Sequence, residues 1–261
     1  MVISRWQIGL HIQQDGIYAI ALVQEKSRAA LRRWWHLPLA AGTLAGGQIK
    51  QPEQLRVALQ AWSKNLPRRH QISLAFPAGR TLQKRLPRPA LRLGESAQLQ
   101  WVANSLAREL GMPADDLRFD YTDDSVQRTY SVTAAQNSDV AALLSLADSL
   151  GLHLTAITPD ACALQRFIPL LTPPLRWLAW RDATQWLWAT RSGWGRRARE
   201  DAATLDELAQ VLGLPPEEAT LCDAGPGGFD PWSAIVCRYP PLPESGGTWA
   251  VAIGLALGGE W

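Results

Sequence analysis

The chain has 261 residues, 47% of them hydrophobic and 19% charged, so it is long enough to bury a large core and too apolar to stay disordered. Its 26 Lys and Arg residues face 24 Asp and Glu, and a formal net charge of +2 is too near balance to imply a nucleic-acid partner by itself. Cys162, Cys222 and Cys237 are odd in number and far apart, which excludes a disulfide framework and a paired zinc spacing and suits a reducing compartment.

Near the N-terminus, Gln7, His11, Gln13, Gln14 and Asp15 interrupt any signal-peptide apolar region. Residues 6–12, 17–23 and 29–37 read as three successive strands, separated by the turn signal Asp15-Gly16 and by the charged Glu25-Lys26-Ser27. After the glycine-rich loop at 42–47, Pro52 opens a helix with an apolar face of Leu55, Leu59, Trp62 and Leu66. Residues 71–76 then read as a strand that ends at Pro77.

The next segment, residues 81–151, has another rhythm. It predicts an extended stretch to Arg85, a helix with Leu99, Val102, Leu106 and Leu110 capped by Gly111, strands at 119–121 and 129–133, and a helix carrying Val140, Leu143, Leu144, Ala147 and Leu150. Residues 152–158 return as a strand, Pro159-Asp160 opens a helix through Phe167, and the proline-rich run 169–174 reads as a hinge.

Beyond it the first order recurs. Residues 175–181, 185–191 and 194–199 read as three strands, Leu205, Leu208, Ala209 and Leu212 as a short helix closed by Gly213, and 219–222 as a further strand. The late apolar stretch 249–257 is half of the roughly 18 residues that a membrane span needs, and the expectation is a soluble protein. A strand meander followed by helix and strand, twice over, is the pattern of two ribonuclease-H-like halves facing a cleft. The expected fold is α/β and duplicated: a first lobe at 1–80, an inserted α+β subdomain at 81–151, a return strand, helix and hinge at 152–174, and a reduced second lobe at 175–261.

Six stretches carry a resemblance across nearly the whole chain: Trp6-Gln7-Ile8-Gly9-Leu10-His11-Ile12, Leu74-Ala75-Phe76-Pro77, Arg118-Phe119-Asp120-Tyr121, Ala156-Ile157-Thr158-Pro159-Asp160-Ala161, Leu178-Ala179-Trp180-Arg181-Asp182 and Ala252-Ile253-Gly254-Leu255-Ala256-Leu257. In them the sequence resembles the PilM family of type IV pilus assembly proteins, which implies an actin-like fold. Actin-like ATPases grip phosphates with two hairpin loops, where glycines admit the phosphates and aspartates organise Mg²⁺ and the attacking water. The family's first loop follows a Gly-Ile-Asp-Ile-Gly-Ser type of sequence. Here the matching positions are Gly9, His11 in place of the aspartate, and Gln13 in place of the loop glycine. The second loop's Asp-Ile-Gly reads as Ala179-Trp180-Arg181, and a third, adenosine-packing element corresponds to the glycines Gly225, Gly227 and Gly228. A neutral imidazole does not replace a carboxylate for a hard cation, so the resemblance implies a decayed nucleotide site with Gln13 and Arg181 filling its loops, no cofactor and no catalysis.

The resemblance further implies a scaffold that is cytoplasmic and peripheral to the inner membrane, binding the cytoplasmic N-terminal tail of a PilN-like single-span partner. Enteric relatives are associated with the use of external DNA as a nutrient through a pilus-like uptake machine. The partner site is expected where the inserted subdomain meets the first lobe, with Leu74, Phe76 and Leu82 as candidate contacts. Two other readings compete. A divergent ATPase would need acidic groups that refill the cleft, for instance Asp15, Asp160, Asp182 or Asp223. A direct DNA-binding protein would use the eight basic residues Lys64, Arg68, Arg69, Arg80, Lys84, Arg85, Arg88 and Arg92, a run with no acidic residue and only Phe76 available for base stacking.

The remaining patterns have plain readings. His11, His36, His70 and His153 share no metal-ligand spacing, and no nucleophile elbow, P-loop or zinc-protease motif is present. Asp115, Asp116, Asp120, Asp123 and Asp124 lack EF-hand spacing and read as a solvated loop. Of the 13 tryptophans, Trp186 and Trp188 share one face of a strand and read as a core layer.

Overall fold

A computed structural model describes residues 5–258 apart from 27, 92, 125–126, 224 and 226. The chain divides into two units, one formed by Met1–Gly79 with Ala147–Trp261 and one by Arg80–Leu146.

In the first unit, β1 (Trp6–Ile12), β2 (Gly16–Glu25) and β3 (Arg28–Pro38) form the expected meander, and each neighbouring pair runs antiparallel. A two-residue ladder of β4 (Leu44–Ala45) with β5 (Gln48–Ile49) follows, then α1 (Pro52–Ser63), opened by its proline. Leu66 lies past the end of this helix, so its buried face is Leu55, Leu59 and Trp62 alone. The crossover through α1 lets β6 (His70–Phe76) pair with β1 in parallel, which a tight hairpin cannot do.

The second unit contains β7 (Thr81–Pro87), α2 (Glu95–Leu110), β8 (Leu117–Asp124) and β9 (Thr129–Gln136) in a three-stranded sheet of order β7-β9-β8. Val102 and Leu106 of α2 pack on Leu86, Tyr130, Val132 and Ala134, and Gly111 ends the helix with a left-handed φ of 64°. Leu99, read from its spacing as part of the apolar face, is 51% exposed. Burial on this helix is confined to the turns carrying Val102, Ser105 and Leu106.

Helix α3 (Asn137–Ser149) carries the chain back to β10 (Leu154–Pro159), which joins β6 in parallel. The helix expected through Phe167 splits into α4 (Asp160–Ala163) and a 3-10 stretch, Leu164–Leu170, that contains Pro169, a residue with no N–H to give an α-helical ladder. The second meander is β11 (Trp177–Arg181), β12 (Gln185–Thr190) and β13 (Trp194–Ala198), followed by α5 (Leu205–Leu212) and β14 (Ala219–Leu221) parallel to β11.

The two sheets of this unit have matching order. β3-β2-β1-β6-β10 in one corresponds to β13-β12-β11-β14 in the other, which has no fifth strand among the described residues. Each is a meander with a parallel strand added beyond its first strand, so the duplication read from element order is a duplication of topology.

Between them runs α6 (Ala250–Leu257). It has no polar face, and Ala250 through Ala256 are all buried, as expected of a short helix that is apolar all round. One core joins its Val251, Ile253 and Leu255 to Tyr18, Ile20 and Leu22 of β2, Leu178 and Trp180 of β11, Leu187 of β12, and Leu164 and Phe167. A second cluster lies on the opposite face of the second sheet, where Trp177, Ala179 and fully buried Trp186 meet Leu208 and Ala209 of α5. Trp188 packs against the same cluster, in keeping with the reading of the paired tryptophans as a core layer.

Two glycines set the closeness of this packing. A Cβ on Gly9 would stand 1.9 Å from the Ala252 carbonyl oxygen, and one on Gly254 would stand 2.3 Å from that of Ala163. Both obstacles are backbone, so neither can rotate away. Gly9→Ala should therefore destabilise the protein by at least about 3 kcal/mol, the upper range for overpacking. Urea unfolding measures this, and a loss below about 1 kcal/mol would show that α6 does not press on β1 as described.

Candidate functional site

Three chain segments of the first unit converge beside the N-terminal end of α6. The first is the β1–β2 hairpin, closed by the Gln13 N–H donating to the Gly16 carbonyl at 2.8 Å. The second is the β11–β12 turn, and the third is the turn at residues 245–249 that leads into α6. They border a cleft of about 400 Å³ lined by, among others, Gln13, Asp15, Trp180, Asp182, Asp223 and Thr248.

His11 sits on the α6-facing side of β1 and is buried. Burial, partly opposed by the Asp182 charge, lowers its pKa to about 4, so the ring is neutral at pH 7. Its Nδ1 stands 3.1 Å from the Gln13 side-chain amide nitrogen, which can only donate, so Nδ1 accepts and the ring proton lies on Nε2. The same amide donates to the Thr248 carbonyl at 3.2 Å. Gln13 thus spans from β1 to the turn before α6.

In the second hairpin, alternation decides which side chains join the core shared with α6. Leu178 and Trp180 belong to the core shared with α6, whereas Ala179 belongs to the α5 cluster on the other face. Arg181 shares the Ala179 side, and its guanidinium carbon lies 5.7 Å from the centre of the Trp186 ring. Trp180 and Arg181 both line the cleft. The Trp180 indole is buried, lies edge-on to His11 at 5.7 Å between centres, and donates from Nε1 to the Gly247 carbonyl at 2.7 Å. Gly9, aligned with a phosphate-loop position, serves the approach of α6 instead.

The glycines at 225, 227 and 228 form a turn closed on itself. Gly228 N–H donates to the Gly225 carbonyl at 3.0 Å, the Thr220 hydroxyl donates to the Gly227 carbonyl at 3.2 Å, and Gly227 has φ of 78°. Ala224 and Pro226 of the same run lie outside the described residues.

Of the four acidic candidates, Asp15, Asp182 and Asp223 do line the cleft. Asp15 accepts the Tyr18 hydroxyl at 3.1 Å, and burial together with that carboxylate pushes the phenol up to about 12. One Asp182 oxygen accepts the Thr184 N–H at 2.7 Å, the Thr184 hydroxyl at 2.9 Å and the Gln185 N–H at 2.8 Å, so it is committed to its own turn. Asp160 is buried, and one of its oxygens accepts the Ala78 N–H at 2.9 Å and the Ala161 N–H at 2.7 Å. Burial raises its pKa to about 7; those two N–H groups oppose the rise, the Asp182 charge adds to it and Arg196 opposes it. Among the described residues no three His, Cys, Asp or Glu side chains are grouped to hold a metal ion. Cys162, Cys222 and Cys237 are free thiols, and burial raises that of Cys222.

The candidate partner contacts separate. Leu74 and Phe76 are core residues of β6, 5% and 3% exposed, because the C-terminal half of that strand is buried on both faces. Leu82 on β7 is 42% exposed. Within the basic run, Arg80 pairs with Asp139 at 2.7 Å through Nε, Lys84 with Glu109 at 2.7 Å, and Arg88 with Asp123, while Arg92 lies outside the described residues. Three of its cations are thus matched by carboxylates.

Two like-ordered sheets, each turning a β-hairpin toward one cleft, define an actin-like fold. No family model matches the chain. The DNA utilization protein HofM of Escherichia coli (strain K12) is 51% identical over 258 residues, covering 99% of this chain and 99% of that protein, and the chain belongs to the HofM family. Two solved structures share the fold at low identity. The PilM-PilN type IV pilus biogenesis complex matches at a TM-score of 0.69 and 16% identity, over 96% of this chain and 97% of that one. The cytoplasmic domain of EpsL, an inner membrane component of the type II secretion system of Vibrio cholerae, matches at 0.60 and 12%, over 97% and 95%.

The buried His11 ring gives a testable pH dependence. Its folded-state pKa of about 4 is below the ordinary 6.5, so between these values the unfolded chain binds more protons and stability falls as pH falls. In the same window Asp160 acts in the opposite sense, which makes a variant comparison necessary. His11→Leu keeps an uncharged side chain there and does not titrate. From pH 7 to pH 5 the stability difference between wild type and His11→Leu should move by about 2 kcal/mol in favour of the variant. Urea midpoints at the two pH values measure it, and a difference independent of pH would contradict the buried neutral imidazole.

Proposed function

We propose that this protein is a non-catalytic cytoplasmic scaffold of a type IV pilus-like inner-membrane assembly. It holds the cytoplasmic N-terminal tail of a PilN-like partner and supports the uptake and use of external DNA. The observation that carries the reading is the make-up of the cleft. The positions that match the two phosphate loops present a neutral buried imidazole, an amide bonded across to Thr248, and a buried indole. Such donors suit neither Mg²⁺ nor a triphosphate, which need carboxylates and open backbone amides.

Other observations support the scaffold role. The chain is 51% identical to a protein named for DNA utilization, and a solved complex of like fold pairs PilM with PilN. No helix among the described residues is long and apolar enough to cross a membrane, so inner-membrane attachment would come through a partner. The ion pairs of Arg80, Lys84 and Arg88 favour a protein partner over direct contact with DNA. Leu82, exposed on β7 at an edge of its three-stranded sheet, is the contact retained for the tail, because Leu74 and Phe76 have no surface to offer. An extended tail docking near a strand edge gains main-chain hydrogen bonds and seats alternate apolar side chains.

The expected affinity is about micromolar, since a disordered tail loses entropy on docking. Titrating a synthetic N-terminal peptide of the PilN-like partner into the full-length protein should show saturable binding, weakened at least tenfold by Leu82→Glu. Saturable binding indifferent to Leu82→Glu would move the contact elsewhere. A protein that binds no such tail would lose the scaffold reading.

A further inference from the structure

The side chain of Trp180 belongs by strand register to the second sheet, yet its partners lie elsewhere. Its ring meets His11 of the first sheet edge-on, and its N–H is spent on Gly247 in the turn before α6. Gly247 also lies close to the chain after β14, since a Cβ there would stand 2.5 Å from the Cys222 carbonyl oxygen. Gln13 closes the circuit from His11 to Thr248. Two contacts, a ring contact with β1 and a hydrogen bond to the 245–249 turn, thus meet on one indole that is only 3% exposed, and Gln13 bridges the same two segments beside it.

We propose that Trp180 is a built-in ligand: it occupies the meeting point of the two hairpins, as a bound small molecule would, and ties both sheets to the α6 turn in one conformation. A group attached to the chain meets its site without the translational and rotational loss that a free ligand pays on each binding event. The frame formed by the two sheets and α6 then keeps its shape with no small molecule present. This goes beyond the scaffold reading and does not depend on it, since it concerns how the frame is fixed and not what the frame holds.

Removing the indole takes away the ring that His11 abuts and leaves the Gly247 carbonyl without its donor, so the released segments are 9–16 and 244–250. Helix α5 packs on the opposite face of the second sheet, against Trp177, Ala179 and Trp186, and serves as an internal control. Hydrogen exchange by mass spectrometry on the full-length protein reads both. In Trp180→Ala, exchange should rise at least tenfold in 9–16 and 244–250 while α5 and α2 stay as in the wild type, and added free indole should slow it again. Trp180→Phe keeps one aromatic ring but loses the N–H together with the five-membered ring that carries it, so its acceleration should be greatest in 244–250. This milder variant also decides the matter if Trp180→Ala does not fold. Acceleration spread equally over α5, failure of indole to slow the exchange of a folded Trp180→Ala, or a Trp180→Phe protein indistinguishable from wild type would each overturn the proposal and leave Trp180 an ordinary core residue.

Discussion

An eight-residue helix with no polar side chain cannot face water, and the burial of α6 between two sheets is the constraint on which the rest of the first unit depends. Its closeness to β1 requires a glycine at position 9, and its closeness to α4 requires one at 254. Because α6 touches elements of both halves, it fixes the separation of the two hairpins. That separation leaves room for one indole between His11 and Gly247, and the turn that delivers the chain into α6 supplies the carbonyls for both Trp180 and Gln13.

The electrostatics follow from the same burial. His11 and Asp160 are both taken out of water, and burial disfavours the charged form of each, lowering one pKa and raising the other. Near neutral pH the imidazole is uncharged and Asp160 stands close to its titration point, anchored on the Ala78 and Ala161 amides. Of the three carboxylates at the cleft, Asp15 is engaged with Tyr18 and Asp182 within its own turn. Acidic residues near a cleft are therefore not equivalent to a metal-binding set; the direction and commitment of each oxygen decide what it can hold.

Much of this architecture is legible in the residues. Periodicity places all three strands of each meander, and Gly111 and Gly213 end their helices in the left-handed conformation that the capping rule expects. The topological match of the two sheets follows from the order of elements. Side-chain direction at the site was harder to read. Treating Ala179-Trp180-Arg181 as a loop hides the parity of a strand, in which Ala179 and Arg181 share one face and Trp180 takes the other. Strict alternation from Leu178 would have pointed the indole toward the core. Nothing local marks Gly247 or Thr248 as partners of Gln13 and Trp180, because those contacts join residues more than 60 positions apart. Asp160 reads as a helix start, and its burial is set by the packing of β6 and α4, which no local pattern reveals.

The scaffold reading requires that the cleft of this actin-like chain, lined by its own indole, imidazole and amide side chains, take no metal-bound nucleotide. Isothermal titration of the full-length protein with Mg·ATP addresses it most directly. No saturable heat is expected up to about millimolar ligand, which corresponds to less than about 4 kcal/mol of binding free energy. A dissociation constant in the micromolar range would contradict it, and would mean that Asp15, Asp182 or Asp223 can organise a cation in spite of the indole.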